Sequence, residues 1–238
     1  ELAKKVGLGR ASGLVNAVMR RMSSHSLPEW IATLSDQLDD ERKVALETSH
    51  PGWIVRLLEQ SLGRENRGGE LSDLLESHNT PARVAAVDLA GAKREGEEPT
   101  KYSPIGFFPD SPPHEDSRLT AGQIRIQDEG SQLAALTLLA AKPLAKGEQI
   151  LDACAGPGGK AAVIAAQSAP HKATLVAVEQ HAHRVQLVTQ ALSGLDQAGV
   201  EIHQADAVQF LAQRPLHYSR VLLDAPCTGL GALRRRPE

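Results

Sequence analysis

From Glu148 onward, the chain alternates short apolar runs with longer segments of helical periodicity. Runs of this length predict strands, and an alternation of strands with helices requires a parallel sheet with crossover connections. The predicted strands cover 149–153, 174–179, 200–204 and 220–225, and the predicted helices cover 159–168 and 181–192. We therefore expect an α/β fold whose carboxyl-terminal part is the first half of a doubly wound, Rossmann-like sheet.

Upstream of this region, apolar residues at spacings of three and four predict amphipathic helices. One helix covers 10–22, a second begins near Leu27 after the cap residue Ser26, and a third lies between Pro51 and Gly63. We expect their apolar faces to be core faces. The predicted core positions of the first two helices are Leu14, Val15, Val18, Met22, Trp30, Ile31, Leu34 and Leu38.

The middle of the chain has weaker signals. Residues 82–90 predict a short strand, and 124–126 predict another strand, followed by a helix over 133–140. Between them, residues 92–118 contain five of the chain's 14 prolines and a run of acids. That composition is typical of a linker or long loop.

Composition excludes several classes of protein. The 26 Lys and Arg against 29 Asp and Glu give a net charge of −3, and 41% hydrophobic with 23% charged residues is ordinary for a globular chain. No apolar window approaches the roughly 18 residues of a membrane helix, so we expect no membrane partner. Two cysteines, Cys154 and Cys227, are too few for a disulfide framework or a cysteine zinc site. We expect no metal and a reducing, cytoplasmic setting.

The loop after the first predicted strand reads Asp152-Ala153-Cys154-Ala155-Gly156-Pro157-Gly158-Gly159-Lys160. Ligands of such sheets bind at the carboxyl ends of strands, and small residues before a helix let a ligand approach the backbone. A phosphate-binding P-loop is excluded, because Cys154 and Ala161 occupy positions that need glycine and Ser or Thr. Two interpretations stay open: a dinucleotide site, and an S-adenosylmethionine site with an acid followed by small residues.

Acidic residues also follow the next two strands. Glu179 ends the second strand 20 residues after Gly159, where an acid can accept hydrogen bonds from both ribose hydroxyls of an adenosine ligand. Asp206 follows the third strand and could accept from an adenine amino group. An Asp at that place is equally typical of a turn or a helix cap.

The fourth strand ends in Asp224-Ala225-Pro226-Cys227, a pattern that favours the second interpretation. C5 of cytosine is a poor nucleophile until a thiolate adds to C6, after which the ring can take a methyl group from a sulfonium. An acid beside the pocket can hold the ring edge during this attack. Asp224 and Cys227 are therefore candidate catalytic residues for cytosine methylation.

With these motifs in place, the chain resembles the RNA cytosine-5 methyltransferases of the RsmB/Fmu (Sun) and NOP2/NSUN group. The matching motifs are DACAGPGGK (152–160), VAVEQ (176–180), QADA (204–207) and LLDAPCTGLGALRRRPE (222–238). The resemblance implies a monomeric, S-adenosylmethionine-dependent enzyme acting on a cytidine of small-subunit ribosomal RNA. It implies cofactor contacts from Cys154, Ala155, Gly156, Pro157, Gly158, Gly159, Lys160, Glu179, Asp206 and Asp224.

The resemblance also implies a domain plan and two departures from the family pattern. Residues 1–48 resemble the end of a helical NusB-like RNA-binding domain, 49–140 a small α+β linker subdomain, and 141–238 the first part of the methyltransferase domain. Ala161 stands where Thr is common. The family's main nucleophile lies in a Thr-Cys-Ser segment expected beyond Glu238, and the Cys227 position is thought to resolve the covalent adduct. We therefore expect a chain truncated at both ends and inactive on its own.

Three alternatives remain. Cys227 could itself be the nucleophile, the chain could be a non-catalytic RNA-binding module with a vestigial cofactor fold, or Gly156, Gly158 and Ala161 could belong to a nicotinamide dehydrogenase. For RNA binding we expect backbone contacts from Arg234, Arg235 and Arg236, together with the basic residues of the first 25 positions.

Overall fold

The computed structural model of the 238-residue chain describes residues 2–7, 9–93, 95–214 and 217–233. The chain divides into two compact units, one formed by Glu1–Ala82 with Leu230–Glu238 and the other by Arg83–Gly229. The three predicted segments 1–48, 49–140 and 141–238 stay a prediction. No helix in the described ranges combines the length and apolarity that crossing a membrane requires.

The first unit is helical. Its helices are α1 (Leu2–Lys5), α2 (Ser12–Met22), α3 (Leu27–Ser35), α4 (Asp40–Glu47), α5 (Gly52–Arg64) and α6 (Leu71–Asn79). The predicted N-cap Ser26 precedes α3, where Glu29 accepts hydrogen bonds from its backbone N–H and its hydroxyl. Asp39 caps α4 by accepting from the Arg42 N–H at 2.9 Å. Helices α4 and α6 were not predicted from the sequence.

The predicted core faces of α2 and α3 are wrong for this unit. No residue of either helix is buried, and Leu14 and Leu34 are 69% and 56% exposed. The neighbours of α2 in the described residues are the short helix α1 and the turn at 9–11, which are too small to cover an apolar face. Helical periodicity therefore predicted the helices correctly, but it did not predict whether their apolar faces are buried.

The second unit begins with an antiparallel sheet in the order β2-β3-β1-β4. Its strands are β1 (Ala86–Asp88), β2 (Glu98–Pro99), β3 (Gly106–Phe108) and β4 (Ile124–Ile126), and a short helix α7 (Ser117–Thr120) precedes β4. Strands β2 and β3 lie inside 92–118, so the prediction of a linker there is wrong. Phe107 of β3 is fully buried with Ala86 and Ile124.

A buried ion cluster holds this segment together. Arg118 of α7 donates to both carboxylate oxygens of Glu97 and of Asp116, and to the carbonyl of Ala92. The three charged side chains are 8%, 0% and 1% exposed. These bonds replace the apolar contacts that a longer strand would supply, which is why composition alone suggested a loop.

The second sheet is parallel, with the order β7-β6-β5-β8. It consists of β5 (Gln149–Asp152), β6 (Thr174–Glu179), β7 (Val200–Gln204) and β8 (Arg220–Leu222), with the helices α8 (Glu129–Ala140), α9 (Gly159–Ser168), α10 (Ala182–Leu192) and α11 (Ala207–Ala212). This arrangement confirms the predicted Rossmann-like half-sheet. Helix α11, with six residues, was too short to be recognised from periodicity.

The core of the second unit connects its two sheets. Val87 of the antiparallel sheet, Ala135 and Leu139 of α8, and one buried face of β5 and β6 belong to one apolar cluster. Arg220, at the start of β8, donates to the carbonyls of Leu138 and Leu139 and to those of Lys142 and Pro143 just after α8. This guanidinium joins the amino-terminal end of β8 to the end of α8.

Candidate active site at the carboxyl ends of the parallel strands

The loops that leave β5 and β8 meet at one edge of the parallel sheet. Strand β5 lies between β6 and β8, so Asp152 pairs with Ala177 on one side and Leu222 on the other. Lys160, in the first turn of α9, contacts Asp224 across this edge, with Nζ 2.5 Å from Oδ2. The structure thus brings together the glycine loop and the Asp224 segment.

Two glycines of the β5 loop make room for neighbouring protein groups, and the expected approach of a ligand to this loop stays a prediction. Gly158 has a φ of +102°, and a Cβ there would overlap the Ala191 side chain and lie 3.0 Å from Val188 Cα, both in α10. A Cβ on Gly156 would overlap the Glu179 carboxylate and the Arg184 guanidinium. These positions need glycine because α10 and the end of β6 pack closely against the loop.

Glu179 is held by three groups of the same site. Its Oε2 accepts from the Gly156 N–H at 3.1 Å and lies 3.6 Å from Arg184 Nε, while Oε1 accepts from the His181 N–H at 2.9 Å. Each carboxylate oxygen has a second lone pair, so both can still accept from a hydroxyl. The carboxylate therefore joins the β5 loop to the end of β6 in a fixed orientation.

Asp152 is buried at the end of β5, where the same loop begins. It is 1% exposed, and its Oδ1 has no hydrogen-bond partner among the described residues. Burial raises the pKa of this carboxyl to about 7, against the opposing effect of the Cys154 N–H and of the Lys160 charge. A buried acid with a free oxygen is a site where a cation would be stabilised.

The two cysteines differ in environment. Burial, followed by the negative charges of Asp152 and Glu179, raises the pKa of the Cys154 thiol and disfavours the nucleophilic thiolate. Cys227 is exposed, three residues beyond Asp224. Cys154 is therefore suited to a contact role in the loop rather than to nucleophilic attack.

Asp206 lies at the edge next to Glu179. Its side chain accepts from the Gln209 N–H at 3.0 Å and caps α11. The adjacent Ala205 N–H donates to the Glu179 carbonyl at 3.1 Å. Asp206 therefore caps a helix, which was one of the two roles predicted for it from the sequence. Its second carboxylate oxygen does not take part in the cap.

Sequence reasoning missed Arg184. Its guanidinium donates to the Gly156 carbonyl and faces Glu179, so it fastens the loop from the first turn of α10. Its position five residues after Glu179 was the only signal. The predicted RNA contacts Arg234, Arg235 and Arg236 lie outside the described residues. Within the described ranges, no three His, Cys, Asp or Glu side chains form a group that could hold a metal.

These residues fit an adenosine-bearing cation better than a phosphate ligand. Glu179 and Asp224 interact electrostatically with Asp152 at this loop, Lys160 is paired with Asp224, and the Arg184 guanidinium faces Glu179. Negative groups at the strand ends would repel phosphates, whereas a sulfonium and an ammonium carry positive charge. Asp152 Oδ1 is the specific atom of this site that lacks a partner in the described residues.

Comparison with known proteins agrees with this geometry. A sequence profile of the 16S rRNA methyltransferase RsmB/F family matches residues 138–238. The Mycobacterium tuberculosis protein Rv1407, assigned by name to the methyltransferases, is 36% identical over 237 residues, covering 95% of this chain and 50% of that protein. The Pseudomonas putida ribosomal RNA small subunit methyltransferase B is 29% identical over 241 residues, covering 96% and 52%.

A solved structure supports the fold. The crystal structure of a methyltransferase homolog protein from Pyrococcus horikoshii superposes with a TM-score of 0.66 at 19% identity, covering 83% of this chain and 67% of that one. The chain spans about half the length of the curated relatives it matches. Its parallel sheet has the Rossmann-like fold, and residues 138–238 match the RsmB/F family of 16S rRNA methyltransferases.

Proposed function

We propose that this chain carries the cofactor-binding half of an enzyme that methylates C5 of a cytidine in small-subunit ribosomal RNA. The observation that carries the proposal is the contact between Lys160 and Asp224, because it joins the glycine loop to the segment that would hold the pyrimidine. The family match over 138–238 supports the ribosomal substrate.

The cofactor would be S-adenosylmethionine, which supplies an electrophilic methyl group on a sulfonium. Residues Cys154 to Lys160 would line its binding loop, and Glu179 would accept hydrogen bonds from the ribose hydroxyls. Asp206 would accept from the adenine amino group. Asp152, buried where the loop begins, supports the proposal because it favours a positively charged ligand.

On the substrate side, Asp224 would hold the edge of the cytosine ring and favour charge at N3 during attack on C6. The chain contains two cysteines and no Thr-Cys-Ser sequence, which is the family's nucleophile segment. We assign to Cys227 the role of resolving the covalent adduct. A target base would have to leave its stack to reach Asp224, at a cost of a few kcal/mol.

Binding of S-adenosylhomocysteine tests the cofactor assignment. We expect the purified chain to bind it in isothermal titration calorimetry and Glu179→Gln to weaken binding at least tenfold, because a neutral amide is a poorer acceptor for two hydroxyls. Glu201→Gln is the matched control, since Glu201 is an exposed acid on β7. Ribosomal RNA binding without cofactor binding would instead indicate an RNA-binding module. Binding of NADH but not of S-adenosylhomocysteine would indicate a dehydrogenase.

An RNA containing 5-fluorocytidine tests the role of Cys227, because the fluorine prevents release of a covalent adduct. We expect no gel-stable adduct with the 238-residue chain, and none with Cys227→Ser. An adduct that forms with the chain and disappears in Cys227→Ser would make Cys227 the nucleophile and contradict its resolving role.

The basic residues Arg234, Arg235 and Arg236 would contact the RNA backbone. Their replacement by Glu should weaken binding of a small-subunit rRNA fragment and lower the salt dependence of that binding. Lys146→Glu, on the exposed turn before β5, is a control for charge alone. Equal affinities of the triple variant and the unmodified chain at moderate salt would remove these residues from the interface.

A further inference from the structure

Gln127, just after β4, is buried, and its side-chain amide forms no hydrogen bond with the described residues. The residue is 8% exposed, and neither Nε2 nor Oε1 has a hydrogen-bond partner among the described residues. Its backbone is fully engaged, because its N–H donates to the Ala85 carbonyl at 3.0 Å and its carbonyl accepts from Gln132 at 3.0 Å. An amide with no partner costs folding free energy, so its retention needs a reason other than stability.

The amide lies against the first residue of α9. A Cβ added to Gly159 would stand 3.4 Å from Gln127 Nε2 and 3.7 Å from its amide carbon. The first N–H groups of a helix have no intrahelical partners, and Gly158 at the N-cap position has no side chain with which to cap them. Helix α9 is ten residues long, so its dipole adds a positive potential at this end.

Two kinds of polar group therefore converge at the start of α9. The helix N–H groups and Gln127 Nε2 are donors that suit a carboxylate, and Gln127 Oε1 is an acceptor that suits an ammonium. An α-amino acid carries both groups on one carbon. Asp152 Oδ1, at the other end of the same loop, is a further buried acceptor without a described partner.

We propose that Gln127 is a binding residue that recognises the amino-acid end of the sulfonium cofactor, with its amide placed against the N-terminus of α9. The inference rests on the proposed function, which names the cofactor but assigns nothing to Gln127. The residue directly follows β4 of the small antiparallel sheet and lies upstream of the family match at 138–238. This sheet thereby becomes part of the cofactor site.

A pair of ligands that differ only in the amino-acid end tests the inference. S-adenosylhomocysteine carries it, and 5′-methylthioadenosine keeps the adenosine and the thioether without it. We expect Gln127→Leu to lower the affinity for S-adenosylhomocysteine at least tenfold in calorimetry. The affinity for 5′-methylthioadenosine should change less than twofold. Gln127→Glu keeps the acceptor but removes the donor and adds a negative charge, so it should lower the affinity for S-adenosylhomocysteine further than Gln127→Leu does. Gln190→Ala, an exposed glutamine of α10, is the matched control.

Thermal unfolding of the ligand-free chain separates binding from a structural role. Removal of an unpartnered buried amide should leave the midpoint of Gln127→Leu unchanged or raised. A lowered midpoint with equal losses for both ligands would make Gln127 structural, and unchanged affinities for both would remove it from the site. Failure of the unmodified chain to bind S-adenosylhomocysteine would overturn the proposed function itself, and this inference with it.

Discussion

Asp152 makes folding stability depend on pH. Its carboxyl has a pKa of about 7 in the folded chain, against an ordinary value of 3.8 when unfolded. Because the folded state holds the proton more tightly, this contribution to stability is complete below about pH 4 and is lost as pH rises through 7. The interval of about three pH units corresponds to roughly 4 kcal/mol.

We therefore expect Asp152→Asn to flatten the fall in stability between pH 4 and pH 7. Urea unfolding at several pH values, followed by circular dichroism, would measure the difference between variant and unmodified chain. Asp196→Asn, an exposed residue that caps the turn at 197–199, serves as the control. Parallel stability curves for Asp152→Asn and the unmodified chain would show that burial of Asp152 does not hold its proton.

Gly158 tests how closely α10 approaches the β5 loop. Gly158→Ala should lower the free energy of unfolding by about 2–5 kcal/mol, because it adds a clash with Ala191 to the cost of a positive φ. Gly147→Ala shares a positive φ but meets no atom within 4 Å, so it isolates the backbone cost. Denaturant unfolding would compare the two variants. Equal losses would show that packing against α10 contributes nothing, and Ala191→Gly should partly rescue Gly158→Ala.

At the residue scale, the sequence predicted the placement of acids better than their partners. Glu179 and Asp224 lie where expected because parallel strands carry their carboxyl ends to one edge, whatever the side chains are. Arg184 and Gln127 could not be predicted, since their roles depend on the packing of α10 and of a second sheet on the loop. The same packing requires glycine at positions 156 and 158.

At the scale of elements, the segment 92–118 depends on its buried ion cluster. Arg118→Met should destabilise the chain by about 3–5 kcal/mol, because Glu97 and Asp116 would keep their buried charges without this cation. Arg83→Met removes an arginine that lies just before β1 and pairs with Glu98 of β2, but that pair is about 60% exposed and its loss should cost about 1 kcal/mol or less. Thermal or denaturant unfolding would measure both. Similar losses would mean that the buried cluster does not stabilise this segment.

Element predictions succeeded where periodicity extended over a whole crossover unit. Between 149 and 222, the four strands and the helices α9 and α10 were predicted to within three residues, and the runs of β5 and β6 are buried on both faces. Strands β2 and β3 have two and three residues, too few to show alternation. Phe107 of β3 packs in a small apolar cluster, and the buried ion cluster holds the segment around these strands. The apolar stripes of α2 and α3 gave no information on what would cover them.

At the scale of the whole molecule, every described residue assigned to the cofactor belongs to the unit Arg83–Gly229. A polypeptide of residues 83–229 should therefore fold alone and bind S-adenosylhomocysteine within about threefold of the 238-residue chain. Residues 141–238, cut at the boundary predicted from the sequence, should not fold, because they lose Ala135 and Leu139 from the core. Circular dichroism and calorimetry would test both. Cofactor binding by 141–238 would support the sequence-based boundary.

Strand β8 is fastened at two points four residues apart. Arg220 joins the amino-terminal end of β8 to α8, and Asp224, just beyond its carboxyl-terminal end, contacts Lys160. The number of residues between Arg220 and Asp224 is therefore fixed by these two contacts. Inserting or deleting one residue between them would preserve one contact and break the other. Substitutions at residues 221–223 should therefore be tolerated far better than a change in the number of residues between the two contacts.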